Sequence, residues 1–147
     1  MRAFIPLAVV LGLAACGAAR ADDKAAEKAS KMLEGTWQLV DGELGGNKLP
    51  PAVTKGVKLE LSPGKYVVSA ESKDEGTVKY IPETSPNAME VTGTAGPNKG
   101  KTFPAIYELK GDTLIICYDL SGKARPTEFT SKAGTKHFLA TYEKVKP

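Results

Sequence analysis

Val57-Lys58-Leu59-Glu60-Leu61 alternates apolar and polar residues without a break. That is the period of a half-buried strand, with Val57, Leu59 and Leu61 on the face that meets a core. Ser62-Pro63-Gly64 then supplies turn residues before a second strand at Lys65 to Ser69. Strands follow at Thr77 to Ile81, Ala88 to Thr92, Phe103 to Leu109, Thr113 to Asp119 and His137 to Lys144, with Lys110-Gly111-Asp112 as a tight hairpin signal. Turn residues recur at intervals of about ten, the spacing of an antiparallel sandwich or barrel. With the strand that begins at Trp37 the total is about eight, enough to close a small barrel that is either filled by side chains or holds one small ligand.

The stretch before Trp37 has a different period. Ala25, Ala26, Ala29, Met32 and Leu33 recur at helical spacing, with Asp22 and Asp23 at the start and Gly35 at the end. Acidic residues suit the positive end of a helix and Gly its left-handed stop. The expectation is one short amphipathic helix over residues 22–35, then an all-β domain over 36–147. Because that helix must cross one end of the barrel, Trp37 is expected to seal that end against Met32 or Leu33.

Residues 1–21 have the order of a secretory signal peptide: one basic residue at Arg2, an uncharged run from Ala3 to Ala15, then small residues. The run is too short for a stable bilayer span, which takes about 20 apolar residues. Two cleavage sites compete. Ala19-Arg20-Ala21 offers the small residues signal peptidase requires, whereas Leu13-Ala14-Ala15-Cys16-Gly17 resembles the lipobox of bacterial lipoproteins. In the second case Cys16 carries a diacylglycerol and the chain is an envelope lipoprotein; in the first it is a soluble exported protein. Membrane contact is expected only through that anchor.

The whole chain carries 20 Lys and Arg against 17 Asp and Glu, a net +3; removing Arg2, or Arg2 and Arg20, leaves it still nearer neutrality. With both signs interspersed there is no electrostatic footprint for nucleic acid. With Cys16 acylated or removed, Cys117 has no partner for a disulfide and reads as a small buried apolar residue. The expectation is a monomer.

Candidate chemistry is sparse. Ala95 to Thr102 (AGPNKGKT) satisfies a loose phosphate-loop pattern, but that loop must open a helix, and Pro104 with the β-type residues behind it forbids one. They read instead as an exposed hairpin loop. His137 is the only histidine, which rules out a zinc site of several His or Cys ligands. A Cys117/His137 dyad lacks an orienting third group. Glu71, Asp74 and Glu75 form the densest acidic group but match no calcium loop and read as solvated turn charges. No metal, cofactor or catalytic residue is assigned, and the chain is not read as an enzyme.

Gly35-Thr36-Trp37 resembles the opening motif of lipocalins. A wider match, over "LEGTWQLVDGELGGNKLP", "IPETSPNAMEV", "IYELKGDTLIICY" and "RPTEF", resembles an uncharacterised lipocalin-like domain family abundant in planctomycete bacteria. Ala105 departs from that family, which more often has Gly before the Ile-Tyr-Glu-Leu run. The resemblance implies a lipocalin-like antiparallel barrel and an exported habit, and it brings no known activity. It also implies a basic side chain stacked over Trp37; Arg125 is the candidate, with Lys144 or Lys146 as rivals.

Two functions compete. In the first the protein is an exported carrier of a small apolar or amphipathic ligand inside the barrel. In the second it is a cell-envelope interaction or structural module with a filled barrel. Tyr66, Tyr80, Met89, Tyr107, Phe129, Phe138 and Tyr142 are the bulky inward-facing candidates: they line a ligand space in the first case and fill it in the second.

Overall fold

The helical pattern ahead of Gly35 is realised as α1 (Ala21–Leu33) in a computed structural model, which describes residues 21–81 and 84–146. Leu33 is buried, and Ala26 and Ala29 pack against the core. Met32 points away and is 54% exposed, because only one stripe of so short a helix can meet the barrel. Gly35 has φ +135°, a backbone that side-chain-bearing residues rarely adopt, and there the chain leaves the helix for the first strand.

The strands are β1 (Gly35–Leu44), β2 (Asn47–Lys48), β3 (Lys58–Ser62), β4 (Lys65–Ser69), β5 (Lys73–Ile81), β6 (Asn87–Ala95), β7 (Thr102–Lys110), β8 (Thr113–Asp119) and β9 (His137–Lys144). A one-turn helix, α2 (Pro51–Thr54), lies between β2 and β3. All pairings between strands are antiparallel, and β9 returns to pair with β1. Since β2 pairs only with β1, the closed ring has eight strands, the size at which side chains fill the interior or leave room for one small ligand. The expected eight-stranded antiparallel barrel with one N-terminal helix is therefore the fold.

The register shifts at two places. Between Leu39 and Asp41 the β1–β9 ladder shifts, and Val40 is left exposed; a second shift lies between Glu75 and Gly76. Such bulges bend and twist a strand.

Inward positions alternate as the sequence pattern requires. Trp37 and Leu39 on β1, Leu59 and Leu61 on β3, Met89 and Val91 on β6, and Leu114 and Ile116 on β8 belong to one buried cluster. The chain between β8 and β9 does something the alternation does not predict. Ala88, Ile106 and Cys117 occupy the opposite, outward phase of their strands and are nonetheless buried. The 120–136 segment folds back over that face, with the Cys117 thiol donating to the Thr130 carbonyl at 3.5 Å and Arg125 reaching Glu90 of β6 at 3.2 Å. The RPTEF block is thus a strap on the outside of the barrel.

A cavity at the open end of the barrel

Strand direction sorts the interior into two halves. At the end where β1 begins, Trp37 is wholly buried and its indole Nε1 donates to the Leu33 carbonyl at 2.9 Å. That bond satisfies one of the carbonyls a helix end leaves unpaired and fixes α1 across the barrel floor. Lys144 Nζ lies 5.7 Å from the indole centroid, so the stacked cation comes from β9. Arg125 is committed to Glu90 on the outer face, with its Nε buried and unpartnered among the described residues. The Trp37–Arg125 closure is therefore corrected to Trp37–Lys144, because the strap carries Arg125 to the outside of the sheet. Tyr80 and Tyr107 fill the same half, edge to face with centroids 5.9 Å apart.

The other half is hollow. A cavity of about 470 Å³ is walled by Leu59, Val68, Met89, Val91 and Ile116, with Tyr66, Phe103, Tyr118, Phe138 and Tyr142 contributing rings. Tyr118 and Phe138 stack, 19° from parallel with centroids 6.0 Å apart. Burial pushes the phenol of Tyr142 up to about 12, and raises that of Tyr118 as well, so neither hydroxyl brings a charge to the wall. Of the seven ring and Met candidates, Tyr66, Met89, Phe138 and Tyr142 line this space. Tyr80 and Tyr107 sit in the filled half. Phe129 is a correction of another kind: it lies on the strap, outside any strand and away from the cavity, because the chain leaves the sheet after Asp119.

Polar groups gather at the mouth, where Ser72, Asp74, Asn98 and Lys101 also line the space. Asp74 overturns its reading as a solvated turn charge. It is the second residue of β5 and points inward in phase with Val78 and Tyr80, so it is only 8% exposed. Its carboxylate accepts from the Tyr66 hydroxyl at 3.0 Å, from the Asn98 side-chain amide at 3.0 Å and from the Asn98 backbone N–H at 3.3 Å. Burial and then the hydrogen bond to Asp74 raise the Tyr66 phenol, so it stays a donor. Asn98 belongs to the 95–102 segment, which is the hairpin loop expected from the sequence and opens no helix. The loop lies so close over Gly93 that a Cβ there would collide with the Asn98 carbonyl.

A second cleft, about 580 Å³, lies outside the barrel between the two arms of the strap, lined among others by Asp119, Arg125, Lys136 and His137. Burial would raise the Asp119 carboxyl, but donors from Ser121 and Ala124 outweigh it and hold the group below its ordinary value. His137 pairs with Asp119 across β8–β9 while Cys117 faces Leu139. The thiol is buried under Thr130 and raised by that burial; no Cys117–His137 hydrogen bond is formed among the described residues.

Together the cavity and its mouth define an eight-stranded barrel of lipocalin-like architecture, plugged at one end and hollow at the other. Comparison of the chain with protein-family models, with curated proteins and with solved structures finds no match. Cys16 and the leader lie outside the described residues; among the described ones no helix is long and apolar enough to cross a membrane.

Proposed function

We propose that the protein is an exported binding protein that holds one small apolar or amphipathic molecule in the hollow half of its barrel. The observation that carries this reading is the cavity of about 470 Å³. Small-molecule sites start at about 300 Å³ and pair a mostly apolar wall with a few convergent polar groups. Filling of the barrel by aromatic residues, the alternative, accounts for only one of its halves. The lipocalin-like resemblance agrees with this reading, as does the leader, from which export follows as part of the proposal. Cys16 is the proposed anchor. Labelling with a fatty acid, lost in Cys16→Ala, is the expected result; unlabelled wild-type protein beginning at Asp22 would move the cut to Ala21.

An apolar fluorescent probe, N-phenyl-1-naphthylamine, tests the binding reading. Wild-type protein is expected to enhance its emission saturably. Val68→Trp, which places an indole in the cavity, is expected to remove the enhancement while far-UV circular dichroism stays that of a β-barrel. No enhancement with the wild type, or an unchanged signal in Val68→Trp, overturns the proposal.

A further inference from the structure

We infer that the cavity selects an amphipathic cation, an apolar body bearing a protonated amine whose nitrogen rests at Asp74. This inference rests on the ligand-binding reading above and names the ligand class. Only two of the lining residues carry formal charge, Asp74 and Lys101, and their surroundings differ. Asp74 is 8% exposed, whereas Lys101 is exposed to solvent. A charge in water is screened, but one that is buried against protein walls is screened much less and acts on whatever enters. The cavity therefore presents a negative centre to its contents and leaves its cation outside.

The partners of Asp74 leave that charge unanswered. A carboxylate offers about four acceptor positions. The Tyr66 hydroxyl and the Asn98 amide occupy Oδ2, and the Asn98 backbone N–H occupies one position on Oδ1. Every donor is neutral, and no ion pair to Asp74 forms among the described residues. Lys73, its neighbour on β5, is engaged with Glu75 at 3.7 Å on the outward phase. A neutral acceptor could take the same hydrogen bonds from Tyr66 and Asn98 without the cost of burying an anion. The charge itself, which those bonds do not require, is what an ammonium uses.

The walls agree. Tyr66, Phe103, Tyr118 and Phe138 present rings around the mouth half of the cavity, and a desolvated ammonium is attracted to ring faces while a carboxylate is repelled by them. The apolar remainder, in which Val57, Val68, Ala70 and Leu120 keep accessible surface, takes an alkyl or ring body.

A matched headgroup series on wild-type protein tests this at neutral pH: decylamine, decanol and decanoate displacing N-phenyl-1-naphthylamine. Decylamine is expected to displace the probe at a concentration about tenfold below decanol, the factor that 1.4 kcal/mol supplies, with decanoate weakest. Asp74→Asn is expected to bring amine and alcohol together. If that variant does not fold, the wild-type ranking still decides. Equal displacement by all three, or strongest displacement by decanoate, overturns this inference and leaves the ligand-binding reading standing. A folded Asp74→Asn that keeps the amine preference also overturns it. Failure of the probe to bind the wild type removes both readings.

Discussion

The two ends of the barrel are built from the same eight strands and the same alternation, yet one is solid and the other hollow. At the solid end the inward positions are Trp37, Tyr80, Tyr107 and Leu114, and α1 caps them with Leu33. At the hollow end Val68, Val91 and Ile116 share the inward face with the rings of Tyr66, Phe103, Tyr118, Phe138 and Tyr142, and Asp74 stands on the rim. A helix lies across the first end; the β4–β5 turn, the 95–102 hairpin loop and the start of the strap border the second. The difference teaches that the covering of each end, more than strand number or the supply of large side chains, decides whether a small barrel has an interior.

The largest test of this contrast is Trp37→Ala. It removes the plug and the donor to Leu33, and is expected to cost about 3–5 kcal/mol, the range for truncating a large buried aromatic. Denaturant melts measure it; a loss below about 1 kcal/mol would make the closed end dispensable. Next is a paired comparison of hydroxyls. Tyr66→Phe removes a donor to a buried carboxylate and should cost about 1.5–3 kcal/mol. Tyr80→Phe removes a hydroxyl that makes no hydrogen bond among the described residues and should stay within about 0.5 kcal/mol. Equal losses would erase the polar distinction between the ends.

A smaller effect is confined to acid and to the open rim. Asp119 is held below its ordinary value of 3.8 by Ser121 and Ala124, whose donors outweigh the opposing effect of burial. Its stabilising contribution is therefore complete above that value and disappears as pH falls through the lower folded value. Protection of the amides in residues 120–136, taken against their intrinsic exchange at each pH, should fall below about pH 4 while α1 and β1 stay protected, and Asp119→Asn should flatten that dependence. Smallest is Lys144→Gln. A cation that keeps its contact with water contributes about 0.5–1 kcal/mol over an indole face, so melts of this variant should shift by no more than that. A larger loss would show that Lys144, whose stem also crosses Gly35 at 3.3 Å from its would-be Cβ, closes the end by packing.

Much of this architecture is legible in the sequence. Strict alternation in residues 57–61 and the hairpin signal at Gly111 place strands correctly because both depend on neighbours along the chain. Asp74 escapes the same reading, although a signal exists: carrying the phase of Val78 and Tyr80 backwards through Gly76 reaches Asp74, while Lys73, Glu75, Thr77 and Lys79 take the other face. Its acidic neighbours in sequence conceal that phase. Arg125 and Phe129 mislead for the opposite reason. They carry no alternation of their own, and the chain from Leu120 to Lys136 is positioned by contacts with β6 and β8, far away in sequence.

The sequence by itself determined the N-terminal helix and the order of the eight barrel strands, though not β2 or α2, together with the inward phase of most strands, the burial of Trp37 and the absence of any phosphate-loop helix after Thr102. Each follows from spacing, turn chemistry and the loss of water from apolar faces, all of which act locally. Tertiary structure alone decided that β9 closes on β1, that Lys144 reaches Trp37 while Arg125 reaches Glu90, that the strap hides Cys117, and that about 470 Å³ remains empty beside a buried carboxylate. Alternation tells which side chains point inward; how far apart their tips remain depends on the diameter and register of the closed ring, which no single strand contains.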